Sequence, residues 1–298
     1  MPADRLDKAR RGTYVADVDR ALRLVAGHFH GAWVIDHLQF GDDDVMEGFT
    51  TLSYMAARHP RLAFGHTVLC QSYRNPALVA KMGATLQLLS GGRFILGIGA
   101  GWHEEEYLAY GYDFPRAGVR VTQLDEALRI IKALWTEERV TFAGAHYRVR
   151  DARCEPRPQP VPPVVVGAYR PRMLRLAAEH ADWWDVASVS PQRYAELARQ
   201  FDGACAAAGR DPQSVRRSTG GGCACAPTRA EAEALVAGRG DPDDEDDFNF
   251  VGTPKEVIDQ MRQFVALGVT YFKVDCGGFP ALTTLEMMVT KVLPALNG

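Results

Sequence analysis

Two short apolar runs are each followed by side chains that can move a proton. Asp36 and His37 come directly after the run that begins at Ala32, and three glutamates at 104–106 come shortly after the run that ends at Ile98. Histidine gains and loses a proton near neutral pH, and a carboxylate can serve the same chemistry, so this pattern is typical of acid–base catalysis. By position alone, a histidine that only caps its strand is the simpler interpretation.

Both runs predict buried strands of a parallel sheet. The segment from Phe94 to Ile98 is too short for a helix and has no polar alternation, as in strands that are covered on both faces. Polar groups at the carboxyl ends of parallel strands are where α/β enzymes place their chemistry. His37 and the residues after Ile98 are therefore expected at such strand ends.

Three glycines, Gly97, Gly99 and Gly101, line the end of the second run. Because Ala100 adds only a methyl group among them, a flat molecule can approach the backbone there. Plain turn chemistry is the alternative. A dinucleotide-binding fold is not expected, since the spacing differs from Gly-x-Gly-x-x-Gly and no helix opens directly on Gly101.

Composition predicts one large domain. A chain of 298 residues, 47% of them hydrophobic, can bury a large core, and barrels of about 250 residues routinely form one domain, here 1–298. The net charge of −3 gives no electrostatic reason to expect nucleic acid or a membrane as partner. No apolar run approaches the roughly 20 residues of a spanning helix. The charged N-terminus lacks an apolar signal segment, which predicts a cytoplasmic protein.

The sequence does not predict a metal site. Its six cysteines are scattered without paired spacing, so we expect reduced, structural thiols. Residues 240–247 are strongly acidic and are expected to form a solvated surface loop rather than a cation site.

Strands and helices alternate along the chain, which predicts a parallel sheet. The seven expected strands lie at 32–36, 62–70, 94–98, 163–168, 183–188, 216–226 and 271–276. The expected helices lie at 14–27, 47–58, 75–89, 119–136, 171–180 and 191–208, after Thr228, from Thr253 and at the end, with 103–118 a long connection and 137–163 irregular.

This pattern favours an α/β fold of the (β/α)8 TIM-barrel type over an open sheet. The chain begins on a helix, so the first barrel strand is missing or atypical, because residues 1–13 are too charged to be a core strand. Either the native start lies upstream, or residues 1–13 or a partner chain cover the gap. An uncovered gap exposes two strand edges.

The sequence resembles the luciferase-like flavin-dependent oxidoreductases, whose barrels bind flavin mononucleotide (FMN) or the 5-deazaflavin coenzyme F420. The resemblance covers about residues 29–275, and its pattern is most similar to the deazaflavin-dependent subgroup. It rests on the motifs Trp33-Val-Ile-Asp-His37, Tyr73-Arg-Asn-Pro76, Leu89-Ser-Gly-Gly-Arg93, Leu96-Gly-Ile-Gly-Ala-Gly-Trp102, Glu106-Tyr107 and Gly252-Thr-Pro-Lys-Glu-Val257.

The resemblance implies roles for individual residues. His37 is implied to be the catalytic residue beside the reacting ring, with Asp36 in contact with the cofactor. A non-prolyl cis peptide is implied at Thr67–Val68, in a bulge behind the ring, with a plain strand as the alternative. The other implied cofactor contacts are Cys70, Ala100, Gly101 and Trp102 along the cofactor channel, and Gly167, Ala168, Tyr169 and Arg172 at the phosphate.

Some positions depart from the family pattern. Trp102 replaces the catalytic glutamate of a deazaflavin-reducing sugar dehydrogenase, which argues against a sugar-phosphate substrate. Among Glu104, Glu105 and Glu106, a solvated helix start is expected for at least two. Ala168 and Tyr169 stand where a second glycine and a smaller residue are usual.

Three functions remain open. The first is an F420-dependent oxidoreductase that transfers a hydride to or from a small organic substrate. The second is a two-component monooxygenase that uses reduced FMN and oxygen, and the third is a non-catalytic cofactor-binding barrel. The resemblance also implies a homodimer and a separate flavin or deazaflavin reductase that supplies reduced cofactor.

Overall fold

The computed structural model describes residues 11–237 and 250–297. These residues form two compact units. Unit I comprises Gly31–Gly167 and His180–Asp182, and unit II comprises the described parts of Met1–His30, Ala168–Glu179 and Trp183–Gly298. The acidic segment 240–247 lies outside the described residues.

The elements follow one another in an almost regular alternation. The strands are β1 (Gly31–Val34), β2 (Ala63–His66), β3 (Leu69–Cys70), β4 (Phe94–Gly99), β5 (Val140–Ala143), β6 (Arg148–Ala152), β7 (Val164–Gly167), β8 (Trp183–Ala187), β9 (Arg216–Cys225), β10 (Phe250–Gly252) and β11 (Tyr271–Cys276). The helices are α1 (Tyr14–Val25), α2 (Gly48–Arg58), α3 (Pro76–Leu89), α4 (Glu104–Ala109), α5 (Ala117–Thr136), α6 (Pro171–His180), α7 (Pro191–Ala207), α8 (Arg229–Val236), α9 (Pro254–Val265), α10 (Thr283–Met287) and α11 (Leu293–Asn297), with a π-helical turn at Met288–Val292.

Unit I is built on a parallel sheet. Its strands are adjacent in the order β1-β2-β4-β7, and β3 pairs with the carboxyl end of β4. Every residue of β2 and β4 is buried. The continuous burial explains why β4 is an unbroken apolar run in the sequence. The parallel pairing of the strands brings the carboxyl ends of β1, β2 and β4 to one edge.

Unit II has its own parallel strands. β9 pairs in parallel with β8, β10 and β11. A buried ion pair joins two of them, because Lys273 Nζ on β11 lies 2.6 Å from Asp185 Oδ2 on β8. Ahead of unit I, the described residues from 11 to 30 hold one helix and no strand, as expected from a chain that begins on a helix.

Helix starts were predicted well because their signals are local. Asn75 Oδ1 accepts the N–H of Ala77 at 2.9 Å in front of Pro76. Thr253 and Glu256 cap each other's backbone at the start of α9, as the sequence predicted.

Four elements were missed. The segment 137–163, expected to be irregular, contains the antiparallel hairpin of β5 and β6. Its strand β6 is largely exposed and carries two arginines and an aspartate, so it lacks an apolar signal. A buried carboxylate holds the turn instead, since Glu126 accepts the N–H groups of Ala145, His146 and Tyr147. The helix α4 and the three-residue strand β10 were also not predicted.

None of the helices within residues 11–237 and 250–297 has both the length and the apolar character needed to cross a membrane. All six cysteines are buried, free thiols.

One glycine in β4 is needed for close packing of the strands. A Cβ added at Gly97 would lie 1.9 Å from the backbone oxygen of His66 on β2. We expect Gly97→Ala to lower the free energy of unfolding by about 3 kcal/mol, because backbone cannot move aside as a side chain can. Urea unfolding followed by circular dichroism measures this change.

Gly203→Ala is the matched control for that experiment. Gly203 lies within α7, and a Cβ there would meet nothing within 4 Å. Alanine should leave the stability unchanged or raise it by up to about 1 kcal/mol. Equal stabilities of the two variants would contradict the packing explanation.

Candidate functional site

The predicted site residues of unit I lie together at the carboxyl ends of its strands. Asp36 and His37 follow β1, Cys70 ends β3, and Ala100 to Trp102 follow β4. Direct contacts connect them. The N–H of Cys70 donates to Asp36 Oδ2 at 2.9 Å, and the rings of His37 and Trp102 lie 5.7 Å apart.

The peptide bond between Thr67 and Val68 is cis, which confirms the conformation that the resemblance implied. It separates β2 from β3, so the expected single strand at 62–70 is interrupted. The N–H of Thr67 donates to Val34 O on β1 at 2.8 Å. On the other side, a Cβ at Gly99 would lie 2.7 Å from Val68 Cγ2, so glycine lets β4 approach this bulge closely.

Asp36 is buried in a network of charged groups. Arg74 donates to both of its carboxylate oxygens, each at 2.8 Å, and the Asp36 side chain is 0% exposed. Arg74 also donates to Glu47 Oε1. The implied contact between Asp36 and a cofactor stays a prediction, and the contacts that the structure gives its carboxylate are those with Arg74 and Cys70.

The electrostatics of this network favour ionised groups. Burial acts to lower the pKa of Arg74, but hydrogen bonds to Asp36 and Glu47 outweigh it and raise that pKa. Burial has the opposite effect on the carboxylate of Glu47, whose pKa it acts to raise. Hydrogen bonds from Thr50, Arg74 and Phe49 reverse the effect and lower the pKa of Glu47 to about 2.

Glu47 should therefore stabilise the fold in a pH-dependent way. Its folded pKa of about 2 lies below the ordinary value of 4.5, so its contribution is present above pH 4.5 and is lost as the pH falls toward 2. We expect Glu47→Gln to lower the free energy of unfolding by roughly 1 kcal/mol at pH 7. The effect is small because solvent screens this partly exposed carboxylate.

Urea unfolding of both proteins at pH 7, 5 and 3 tests this expectation. The difference in unfolding free energy between wild type and Glu47→Gln should hold from pH 7 to 5 and shrink at pH 3. A difference that stays constant over this range would show that the carboxylate charge is not its cause.

His37 is held by a buried carboxylate that the sequence only partly revealed. His37 Nδ1 lies 2.9 Å from Glu106 Oε1, and their side chains are 15% and 2% exposed. Glu106 also accepts the hydroxyl of Tyr73 and the N–H of Leu38, the latter at 2.9 Å. Burial acts to raise the pKa of Glu106, but the hydrogen bonds from Tyr73, Leu38 and His37 outweigh it and lower the pKa.

This arrangement orients the imidazole. A charged carboxylate that faces Nδ1 favours the tautomer with hydrogen on Nδ1, so Nε2 carries the lone pair and faces away from Glu106. Glu104 and Glu105 are exposed, as expected for a solvated helix start. Of the three glutamates, only Glu106 is buried and joins the site.

Aromatic rings surround His37. Phe40, Trp102 and His103 lie 5.1, 5.7 and 6.0 Å from its ring, each edge-on. Phe40 and His103 stack on each other at 5.1 Å. Trp102 is 64% exposed, so a large apolar surface adjoins the histidine. We define Phe40, Trp102 and His103 as the aromatic wall.

Cys70, at the end of β3, is a packed thiol. Its Sγ is 2.9 Å from the hydroxyl of Tyr107, which also donates to Ala100 O at 3.4 Å. Burial raises the pKa of Cys70, which disfavours a thiolate nucleophile. Gly101, with φ 78°, must be glycine here, because a Cβ would lie 1.8 Å from the Tyr107 hydroxyl.

The predicted phosphate-site residues are divided between the units. Gly167 ends β7 in unit I, and a Cβ there would meet nothing within 4 Å. In unit II, Ala168 is fully buried, while Arg172 is exposed in the first turn of α6. Tyr169 binds the end of β8, since its hydroxyl donates to Ala187 O at 2.9 Å and accepts the N–H of Ala187 at 2.7 Å.

Sequence reasoning missed Arg74, Glu47, Phe40 and Tyr73 as members of the site. Arg74 and Tyr73 stand in a motif of the resemblance, and that was their only signal. Phe40 and Glu47 carried none, because their roles depend on contacts with residues far along the chain.

Known proteins resemble this chain over most of its length. The profile of the luciferase-like monooxygenase family matches residues 11–241. An F420-dependent glucose-6-phosphate dehydrogenase of Intrasporangium calvum is 30% identical over 94% of both chains. A protein of the same description from Kineococcus radiotolerans is 40% identical over 55% of this chain, and the match spans only 50% of that relative's length.

A solved structure shows the same fold. The F420-dependent secondary alcohol dehydrogenase in complex with an F420–acetone adduct has a TM-score of 0.81 and 19% identity, over 95% of this chain and 94% of that one. The predicted fold class, an α/β barrel of the luciferase type, is confirmed by this likeness. The profile match over residues 11–241 and the relative that is 30% identical over 94% of both chains show that the chain belongs to the luciferase-like monooxygenase family.

Proposed function

We propose that this chain is an oxidoreductase that moves a hydride between coenzyme F420 and a small organic substrate, with His37 as the group that exchanges the proton. The observation that carries this function is the contact of His37 with the buried Glu106 at the sheet edge that also holds the cis peptide. Relatives named F420-dependent glucose-6-phosphate dehydrogenases support the choice of cofactor.

The residues of unit I fit a flat cofactor. The bulge at Thr67–Val68 and the glycine-rich end of β4 present backbone rather than bulky side chains. Beside them, Ala100 and Gly101 would hold the ring, and Cys70 would support it from below. The phosphate contacts implied for Gly167, Ala168, Tyr169 and Arg172 belong to the same proposal.

The chain's own part in the reaction is proton transfer and orientation. When bound, the deazaflavin supplies a two-electron hydride acceptor or donor. His37 Nε2 takes the hydroxyl proton when an alcohol is oxidised and returns it when a carbonyl is reduced. Glu106 keeps the ring oriented and stabilises the imidazolium that forms, as a buried carboxylate does in other histidine-dependent sites.

Equilibrium binding of F420 and, separately, of FMN is the first test. Fluorescence quenching should show tight binding of F420 and weak binding of FMN. The absorbance of oxidised F420 should then bleach when an alcohol substrate is added. Preference for FMN would overturn the proposal.

A second candidate is an FMN-dependent monooxygenase, since the matching family profile carries that description. FMN preference together with oxygen consumption would establish it. Binding of neither cofactor would favour the non-catalytic barrel.

Finer expectations accompany the main proposal. We propose one domain over residues 1–298, a homodimer, a cytoplasmic location and a separate reductase that supplies reduced cofactor. Light scattering after size-exclusion chromatography measures the oligomeric state directly.

A further inference from the structure

We propose that the surface beside His37 selects a neutral, apolar substrate, a secondary alcohol or ketone with an aromatic or branched hydrocarbon group, and discriminates against sugar phosphates. This inference rests on the proposed function, because it names the substrate class of the same site. It comes from the aromatic wall and from the charges around it.

The aromatic wall offers apolar surface next to the proton-transfer group. Trp102 is 64% exposed, whereas the other four tryptophans, Trp33, Trp135, Trp183 and Trp184, are at most 7% exposed. Its ring lies 5.1 Å from His103 and 6.2 Å from Phe40, so the three rings form a continuous patch. A hydrocarbon group that covers an exposed indole gains free energy roughly in proportion to the apolar area removed from water.

The arginines beside this patch are engaged by protein groups. Arg74 is bound to Asp36 and Glu47. Arg120 donates to the backbone oxygens of Gly101 and Pro115, and its guanidinium lies 4.0 Å from the ring centre of Phe114. A phosphate bound by either arginine would first have to displace these contacts.

Exposed acidic residues follow two members of the aromatic wall closely in the sequence. Asp42 and Asp43 follow Phe40 in the chain and are exposed, and Glu104 and Glu105 follow His103 and are exposed. These four carboxylates lie within three residues of the wall in the sequence. They should repel a dianionic phosphate and leave a neutral molecule unaffected.

The reaction of such an alcohol balances with the proposed function. Oxidised F420, when bound, would supply the acceptor for the hydride that leaves the carbinol carbon with both electrons of its C–H bond. The hydroxyl proton passes to His37 Nε2 as the C=O bond forms. The alcohol is oxidised by two electrons and the cofactor is reduced by two.

Competing substrates test the proposal. We expect 1-phenylethanol to be oxidised with a kcat/KM at least 100-fold above that of glucose 6-phosphate. Trp102→Ala should lower kcat/KM for 1-phenylethanol at least about threefold more than it lowers kcat/KM for 2-propanol, because 2-propanol lacks the group that covers the indole. A higher kcat/KM for glucose 6-phosphate than for 1-phenylethanol would overturn the proposal. An equal loss of kcat/KM for both alcohols in Trp102→Ala would also overturn it.

A cofactor-free measurement tests the charge argument by itself. Each ion's quenching of Trp102 is compared with its quenching of free N-acetyltryptophanamide. The relative quenching should be higher for caesium than for iodide, because the acidic side chains attract the cation and repel the anion. Trp102→Phe should abolish the difference. Higher relative quenching by iodide would overturn the proposal even if F420 binds, whereas absent F420 binding with higher relative quenching by caesium would locate the failure in the proposed function.

Discussion

Replacing His37 with asparagine should lower the rate of hydride transfer by about 10²–10⁴-fold, the usual contribution of a positioned acid–base group. Asparagine keeps a polar side chain of similar reach but cannot exchange a proton near neutral pH. Single-turnover bleaching of F420 with saturating alcohol measures the rate. The affinity for F420 should change less than about fivefold, because the imidazole acts on the substrate's proton. A rate that stays within a few-fold of wild type would remove His37 from the mechanism.

Glu106→Gln separates positioning from proton transfer. The amide can still accept the N–H of Leu38, which lies 2.9 Å from Glu106 in the wild type, but it carries no charge for the imidazolium. The rate of hydride transfer in a single turnover should fall, because the imidazolium that forms on His37 loses its carboxylate partner. A purely structural role of Glu106 would lower the free energy of unfolding but leave the rate of hydride transfer by the folded protein unchanged.

The double variant His37→Asn/Glu106→Gln completes the test. If Glu106 acts through His37, the double variant should lose no more activity than His37→Asn alone, since groups that act as a unit are non-additive. Losses that multiply would show that Glu106 acts on the substrate independently.

Replacing Arg74 with methionine should lower the free energy of unfolding by about 3–5 kcal/mol, the penalty for a buried charge left without its partner. Asp36, with a fully buried side chain, would then keep only the hydrogen bond from the N–H of Cys70. Urea unfolding at pH 7 measures this change. The double variant Asp36→Asn/Arg74→Met should be more stable than Arg74→Met, because it removes the uncompensated charge.

Arg139→Met is the matched control for Arg74→Met. Arg139 forms a 2.6 Å ion pair with Asp151, but the two side chains are 53% and 64% exposed. Loss of this ion pair should lower the free energy of unfolding by less than about 1 kcal/mol, since solvent screens exposed ion pairs. Equal costs at the two positions would show that burial is not what makes the Arg74 pair important.

Local signals in the sequence were sufficient for the order and type of most elements. Asn75 and Thr253 mark helix starts through side-chain contacts within three residues. An unbroken apolar run predicts a buried strand such as β4. The same logic placed His37 at a strand end. The cis bond at Thr67–Val68 came from the resemblance, because no local signal specifies it.

Only the tertiary structure decided which polar groups meet. Arg74 contacts Asp36 and Glu47 across 38 and 27 residues, and Glu106 contacts His37 across 69. Three consecutive glutamates are equivalent in the sequence, and the short helix α4 makes one of them buried and two exposed. Periodicity predicts which face of a segment is apolar, but the pairing of buried charges depends on how separate segments pack, which no local pattern encodes.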